Sequence, residues 1–163
     1  MAAPEFLIRA TESWMALYSH TKALSISITY LHFAGLLLGG GAAVAADRGA
    51  FKACGGSDAD RAAFLATLAS IHRVVVPGLV LMVVSGALMF LADVETYWAS
   101  RAYWMKMALF VLLLVNGYVL RRAERRALAS PAAGWRQLRF TAVASATLWF
   151  AIVLAGTILV ATA

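Results

Sequence analysis

Long uncharged apolar runs alternate with short charged segments along the chain, and this alternation is its strongest pattern. Each run is close to the ~20 residues that a helix needs to cross the hydrocarbon core of a bilayer. The pattern predicts four membrane spans, at about 23–46, 74–92, 102–120 and 140–161. Since no linker long enough to separate domains interrupts them, we expect residues 1–163 to form a single all-α domain, an integral membrane four-helix bundle.

A short amphipathic segment precedes the first span. Residues 4–20 place Phe6, Trp14 and Tyr18 at helical spacing among charged positions, which predicts an interfacial helix lying at the membrane surface. Residues 43–46 resemble the cleavage site of a signal peptide. The apolar run before them is longer than the usual signal region of about 7–15 residues, so we expect it to stay as a membrane anchor.

Composition supports the membrane class. Hydrophobic residues make up 63% of the chain and charged residues 13%, against about 45–50% and about 25% in soluble domains. The single cysteine, Cys54, has no partner for an internal disulfide and belongs to no Cys-x-x-Cys pair. The polar sequence at 55–58 predicts a turn that starts a helix, with Ser57 or Asp58 as the N-cap.

The net charge of +6 does not indicate a nucleic-acid partner, because the basic residues lie in short loops and not on one continuous face. Ten of them lie between the first and second spans or between the third and fourth: Arg48, Lys52, Arg61, Arg73, Arg121, Arg122, Arg125, Arg126, Arg136 and Arg139. Four lie on the other side: Arg9, Lys22, Arg101 and Lys106. By the positive-inside rule both termini are outside, and we expect a multi-pass protein of the bacterial inner (cytoplasmic) membrane.

Few ionisable residues fall within the predicted spans, and each is a functional candidate because charge is costly in lipid. His32 lies in the first span and Lys106 in the third, and both lie about 22 Å from the inner edge at about 1.5 Å per residue. The same level on the second span falls at Leu88 or Met89. His72 lies at the inner edge of the second span.

Small and polar residues recur on the spans at spacings of three and four, which is typical of faces that point into a membrane bundle. The three stripes are Ser25, Thr29, His32, Gly35 and Gly39; Gly78, Met82, Ser85 and Met89; and Thr141, Ser145, Trp149, Ile152 and Gly156. We therefore expect His32 to point into the bundle and not at lipid.

Ordinary roles stay open for each candidate. His32 could hydrogen-bond a neighbouring hydroxyl or carbonyl group, and Lys106 could extend to the outer surface. His72 could meet lipid headgroups, and His20, at the outer edge of the first span, could be a surface residue. Met89 on an apolar helix could serve packing alone.

The chemistry that suits this layer is haem ligation. Imidazole is a common axial ligand of haem iron, and methionine can be the second. His32 would ligate haem b, Lys106 would pair with a propionate, and Met89 or His72 would be the second ligand. The depth count separates His72 from His32 by roughly 22 Å, so that pair requires the second helix to be shifted by several turns. Three glycines would leave room for the flat macrocycle: Gly35, Gly39 and Gly86.

These residues resemble the four-helix membrane proteins that include HemJ-type protoporphyrinogen oxidases and CopD-type copper-resistance domains. The resemblance covers most of residues 23–160 and rests on Leu31-His32, on Pro77 followed by Gly86, and on Trp104-Met-Lys106 leading to Arg121-Arg122. It implies that His32 is associated with haem b and that Lys106 is its functional, catalytic partner. The spacing of Trp104 and Lys106 differs from the Trp-x-x-x-Lys of the HemJ pattern, which favours a less characterised relative on the same scaffold.

Three functions fit these features. The first is a haem-b membrane oxidoreductase acting in electron transfer or tetrapyrrole oxidation, with quinone or another carrier as electron partner. The second is CopD-like copper handling or transport, because imidazole and thioether groups suit Cu(I). Its candidate ligands lie toward the outer side and are His20, Met15, Met89, Met105 and Met107. The third is a membrane anchor subunit of a redox complex. Assembly into a homo-oligomer is left open.

Overall fold

The computed structural model describes residues 3–129 and 131–162. Within those ranges the regular structure is helical, in the order α1 (Glu5–His20), α2 (Lys22–Cys54), α3 (Asp58–Ala92), α4 (Val94–Ala99), α5 (Arg101–Ala129) and α6 (Pro131–Thr162). Four segments are long and apolar enough to cross a membrane: Lys22–Cys54, Ser70–Ala92, Arg101–Leu128 and Ala133–Thr162. The described chain is all-helical and has the composition of a multi-pass membrane protein.

The long helices continue beyond the predicted spans at one end, where α2 and α5 finish and α3 and α6 begin. We call this the Arg-rich end, because ten of the chain's basic residues lie there. The helices continue because apolar side chains, mostly alanines packed around one tryptophan and one leucine, form a core between them: Ala50, Ala53, Ala123, Ala127, Trp135, Leu138 and Ala142. Hydropathy along the chain did not predict these extensions, since their outward faces are charged.

The turn between α2 and α3 is built as predicted, with Ser57 as the N-cap of α3. The Ser57 hydroxyl accepts a hydrogen bond from the Asp60 amide, and the Asp60 carboxylate accepts from the Ser57 amide at 2.8 Å. These two reciprocal bonds form a capping box, which satisfies amides that have no partner within the helix.

The four long helices contact one another in the order α3, α2, α6, α5. The closest approach joins α2 to α3, where a Cβ added to Gly35 would lie 2.7 Å from the Met82 amide nitrogen, and one added to Gly78 would overlap the backbone of Gly39. Small residues allow such close contact. On the other side of α2, the Trp149 ring of α6 packs over Gly40.

Side chains close the remaining side of the bundle, between α3 and α5. One buried cluster joins Met82 of α3, Leu113 of α5, and Trp149 and Ile152 of α6. The interior is therefore shared by all four long helices, although α3 and α5 are not among the helix pairs that pack closely over the described residues.

Helix α1 corresponds to the predicted amphipathic segment and packs against the rest of the fold. The Trp14 indole Nε1 donates to the Leu88 carbonyl of α3 at 2.9 Å. Its location at a membrane surface stays a prediction. Helix α4, which the sequence did not predict, begins at Asp93, whose carboxylate accepts from the Thr96 amide at 3.3 Å.

Large apolar side chains are exposed on the outer surface of the long helices. They include Leu37, Val83, Val84, Val111, Leu112, Leu114, Val115 and Phe150. A water-soluble monomer rarely exposes so continuous an apolar surface, and these side chains are suited to contact with lipid tails.

Candidate functional site

His32 lies on α2 and its ring reaches α3. Its Nδ1 is 3.0 Å from the Met82 carbonyl oxygen and 3.1 Å from the Ser85 hydroxyl. A carbonyl can only accept, and the Ser85 hydroxyl already donates to the Leu81 carbonyl at 2.6 Å. The Nδ1 atom therefore carries the ring hydrogen of neutral His32, and Nε2 keeps its lone pair.

The hydrogen bond from His32 to the Met82 carbonyl is the structural role that the sequence left open for this histidine. This bond uses only one of the two ring nitrogens. Histidines that bind metals are commonly held by the same kind of bond, in which the second nitrogen donates to a backbone carbonyl. His32 is thus oriented as a ligand would be, with Nε2 available.

The prediction that three glycines leave room for a macrocycle is wrong. Gly35 and Gly39 lie in the tight contact between α2 and α3. The space beside Gly86 is filled by the imidazole ring of His32, because a Cβ on Gly86 would lie only 3.1 Å from His32 Cε1. All three glycines are occupied by packing, so a ligand of His32 cannot lie in the α2–α3 contact itself.

Lys106 extends from α5 towards α6. Its Nζ lies 3.7 Å from the position that a Cβ on Gly156 would take, and the residue is half-buried. The ammonium group therefore lies beside a glycine of the neighbouring helix.

His32 and Lys106 occupy one level of the bundle. Helices α2 and α6 are antiparallel, and Gly40 lies against Trp149. Seven residues further along α6 is Gly156, beside Lys106, and seven residues back along α2 is position 33, next to His32. The Lys106 ammonium group, beside Gly156, therefore lies at about the level of His32.

The other predicted ligands lie elsewhere. His32 contacts α3 between Met82 and Gly86, about one turn nearer to the Arg-rich end than Met89. His72 is ten to fourteen residues from those contacts, or about 15–21 Å along the helix. The shift that would bring the two histidines together is absent, so His72 cannot share an iron with His32 in one chain. His20 ends α1 and is exposed.

Two buried carboxyl groups at the Arg-rich end were not predicted as site residues. Asp47 is only 4% exposed, and its Oδ2 has no hydrogen-bond partner among the described residues. Glu124 lies 3.9 Å from His72 Nε2 and also has a buried, unpartnered oxygen. Both residues lie outside the predicted spans at 23–46 and 102–120, and the one sequence signal for Glu124 was a single acid among the arginines at 121–126.

A metal site of protein ligands alone receives no support from the described residues, because no three His, Cys, Asp or Glu side chains converge there. The proposed copper ligands include exposed His20 and Met105 at 48% exposure. The layer of His32 and Lys106 is therefore the best-built candidate site.

No protein-family model, no curated protein and no solved structure matches this chain. The resemblance to HemJ-type and CopD-type proteins therefore stays a prediction from the sequence.

Proposed function

We propose that this chain is a four-helix membrane protein that binds haem b through His32 and acts in electron transfer or tetrapyrrole oxidation, on a HemJ-like scaffold. The observation that carries the proposal is the bond from His32 Nδ1 to the Met82 carbonyl, at 3.0 Å. It fixes the ring and leaves Nε2 as the ligating nitrogen. Bound haem b would supply one-electron transfer.

Lys106 supplies the second part of the proposed site. Its ammonium group lies at the level of His32, next to Gly156. A cation there would pair with a haem propionate or with the carboxylate of a tetrapyrrole substrate. One nitrogen ligand and one cation at about the same height would suit one haem, held through its iron and a propionate.

The Lys106 part of the proposal can be tested by titrating the purified protein with haem b and with its dimethyl ester, which carries no propionate charge. We expect the wild type to prefer haem b, and Lys106→Met to bind it roughly tenfold more weakly, as for a lost charge-assisted hydrogen bond. Binding of the ester should not change between the two proteins.

The dimethyl ester provides the control in this titration. Both ligands would bind the same His32 nitrogen, so they differ only in the propionate charge that Lys106 would contact. Absorption in the Soret region measures both affinities. Equal loss of haem b and of the ester in Lys106→Met would remove the role of Lys106 and point to altered packing. A wild-type protein that takes up neither ligand would contradict the whole proposal.

A further inference from the structure

His72 of α3 and Glu124 of α5 meet across the side of the bundle where the two backbones do not pack closely. His72 Nε2 is 3.9 Å from Glu124 Oε1, and the side chains are only 27% and 15% exposed. The pair lies at the Arg-rich end, away from the layer of His32 and Lys106. It has no part in the proposed haem site.

One ring nitrogen of His72 is already committed. Nδ1 is 2.9 Å from the carbonyl oxygen of Leu68, four residues earlier in α3. Since a carbonyl only accepts, Nδ1 carries a hydrogen in every state of the ring that keeps this bond. Nε2 then faces Glu124 either with a lone pair or with a second proton.

The carboxyl group limits which of these states is stable. Glu124 Oε1 is buried and has no hydrogen-bond partner among the described residues. If the ring were neutral and Glu124 ionised, a buried carboxylate would face a lone pair, which is costly. One proton between the two groups removes the conflict, whether it resides on Nε2 or on Oε1.

Other charges surround the pair but do not replace that proton. On its own helix Glu124 has Arg121 one turn away, and its attraction acts on the carboxyl group without a hydrogen bond. The other ionisable groups at this end of the helices include Arg122 and Arg125 of α5, Arg73 of α3, Asp47 of α2, and Arg136 and Arg139 of α6. The Arg139 guanidinium is directed to the Phe51 ring, 5.9 Å from its centre.

We propose that His72 and Glu124 form a proton-binding site that holds one shared proton at neutral pH. The proton moves between Nε2 and Oε1, and no other bond changes. The gap of 3.9 Å is longer than a direct hydrogen bond of about 2.7–3.2 Å, so the transfer needs the two side chains to draw closer by about 1 Å. The site would take up or release one proton at the Arg-rich end and hold α3 to α5 while the proton is present.

The test counts the protons on both groups in the full-length protein at pH 7. ¹⁵N-labelled histidine reports the ring, and ¹³C-labelled glutamate reports the carboxyl group; His72→Gln identifies the ring among the three histidines. We expect either a doubly protonated ring with ionised Glu124 or a neutral ring with a carboxylic acid, with Nδ1 protonated in both. In Glu124→Gln the ring should be neutral.

Asp47→Asn is the matched control, because Asp47 is also a buried carboxyl group with an unpartnered oxygen, but no histidine pairs with it in the described residues. It should leave the shared proton in place. The proposal is overturned by a neutral ring together with an ionised Glu124, by a ring that stays doubly protonated in Glu124→Gln, or by loss of the proton in Asp47→Asn. Since no haem is needed, failure here is separate from failure of the haem site.

Discussion

At the scale of residues, His32 and His72 use the ring nitrogen Nδ1 in the same way. They differ in the groups that surround the other ring nitrogen, Nε2. Both are bonded from Nδ1 to a backbone carbonyl, at 3.0 and 2.9 Å. His32 shares its level with the cation Lys106, whereas Nε2 of His72 faces the carboxyl group of Glu124. A histidine must be neutral to ligate a metal, whereas a histidine that carries a proton must become charged, so these surroundings suit the two rings to different tasks.

At the scale of elements, the start of α3 depends on local polar groups that act independently of any membrane. The capping box of α3 is exposed, and it joins Ser57 and Asp60 through three hydrogen bonds of 2.7–3.3 Å. The bonds from the Ser57 hydroxyl and amide hold the pKa of the Asp60 carboxyl below its ordinary value. The start of α3 is therefore stabilised by an ionised Asp60.

We predict that Ser57→Ala weakens the start of α3 by about 1 kcal/mol, the usual value of an N-cap. Hydrogen-exchange protection of the first amides of α3 measures the change. Because the folded pKa of Asp60 is depressed, the cap contributes fully above the unfolded pKa of the carboxyl group, and this contribution is lost as pH falls through the folded pKa. The wild type should lose protection in that acidic range, and Ser57→Ala should lose less.

Ser70→Ala is the control for this prediction. Ser70 lies inside α3 and its hydroxyl donates only to the Thr67 carbonyl, so its removal should leave the first turn protected. Equal protection of the first turn in Ser57→Ala and the wild type at neutral pH would show that the capping box does not stabilise α3.

The helices were more predictable from the sequence than the site was. Apolar runs locate the four membrane-length helices because each run must be long enough to be buried in lipid. The extension of α2 past 46 was missed, because its alanines pack inward while charges face out. Asp47 was missed for the same reason, since a charge ends an apolar run whether or not the folded chain buries it. The pairing of His72 with Glu124 depends on contact between α3 and α5, which spacing along the chain does not encode.

Lys106 and Met89 show how accurately the depth of a residue in the bundle can be predicted by counting residues from the edge of a span. Equal distances from the span edges put His32 and Lys106 at one height, and the contacts of Gly40 and Gly156 agree with that level. The same count put Met89 in the layer, but the region that His32 contacts on α3 begins at Met82. The residues that pack between two helices decide a relative shift of about one turn. Here they are the glycines that let α2 and α3 approach each other closely.

At the scale of the whole molecule, the bundle is polarised by its charges. Ten of the fourteen Lys and Arg residues lie at the Arg-rich end, where the helices extend beyond the predicted spans. In a bilayer this asymmetry favours an orientation with the Arg-rich end in the cytoplasm. Both termini, and the opposite end with α1 and α4, would then be outside.

We predict that alkaline phosphatase fused to the C-terminus is active in a bacterial host, because that enzyme matures only outside the cytoplasm. A fusion truncated after Arg126, at the Arg-rich end, should be inactive, and green fluorescent protein at the same two positions should give the opposite pattern. Active phosphatase at Arg126 with an inactive C-terminal fusion would reverse the orientation.

The central claim is that His32 presents a free Nε2 for haem iron, and an absorption titration of purified protein with haem b tests it most directly. We predict a Soret band that saturates at one haem per chain in the wild type and in His20→Ala, which changes an exposed histidine. In His32→Ala the affinity should fall by at least about tenfold, since even outer-shell changes around a ligand cost roughly 10–100-fold. A wild type that stays colourless, or a His32→Ala variant that binds haem as tightly as the wild type, would contradict the claim.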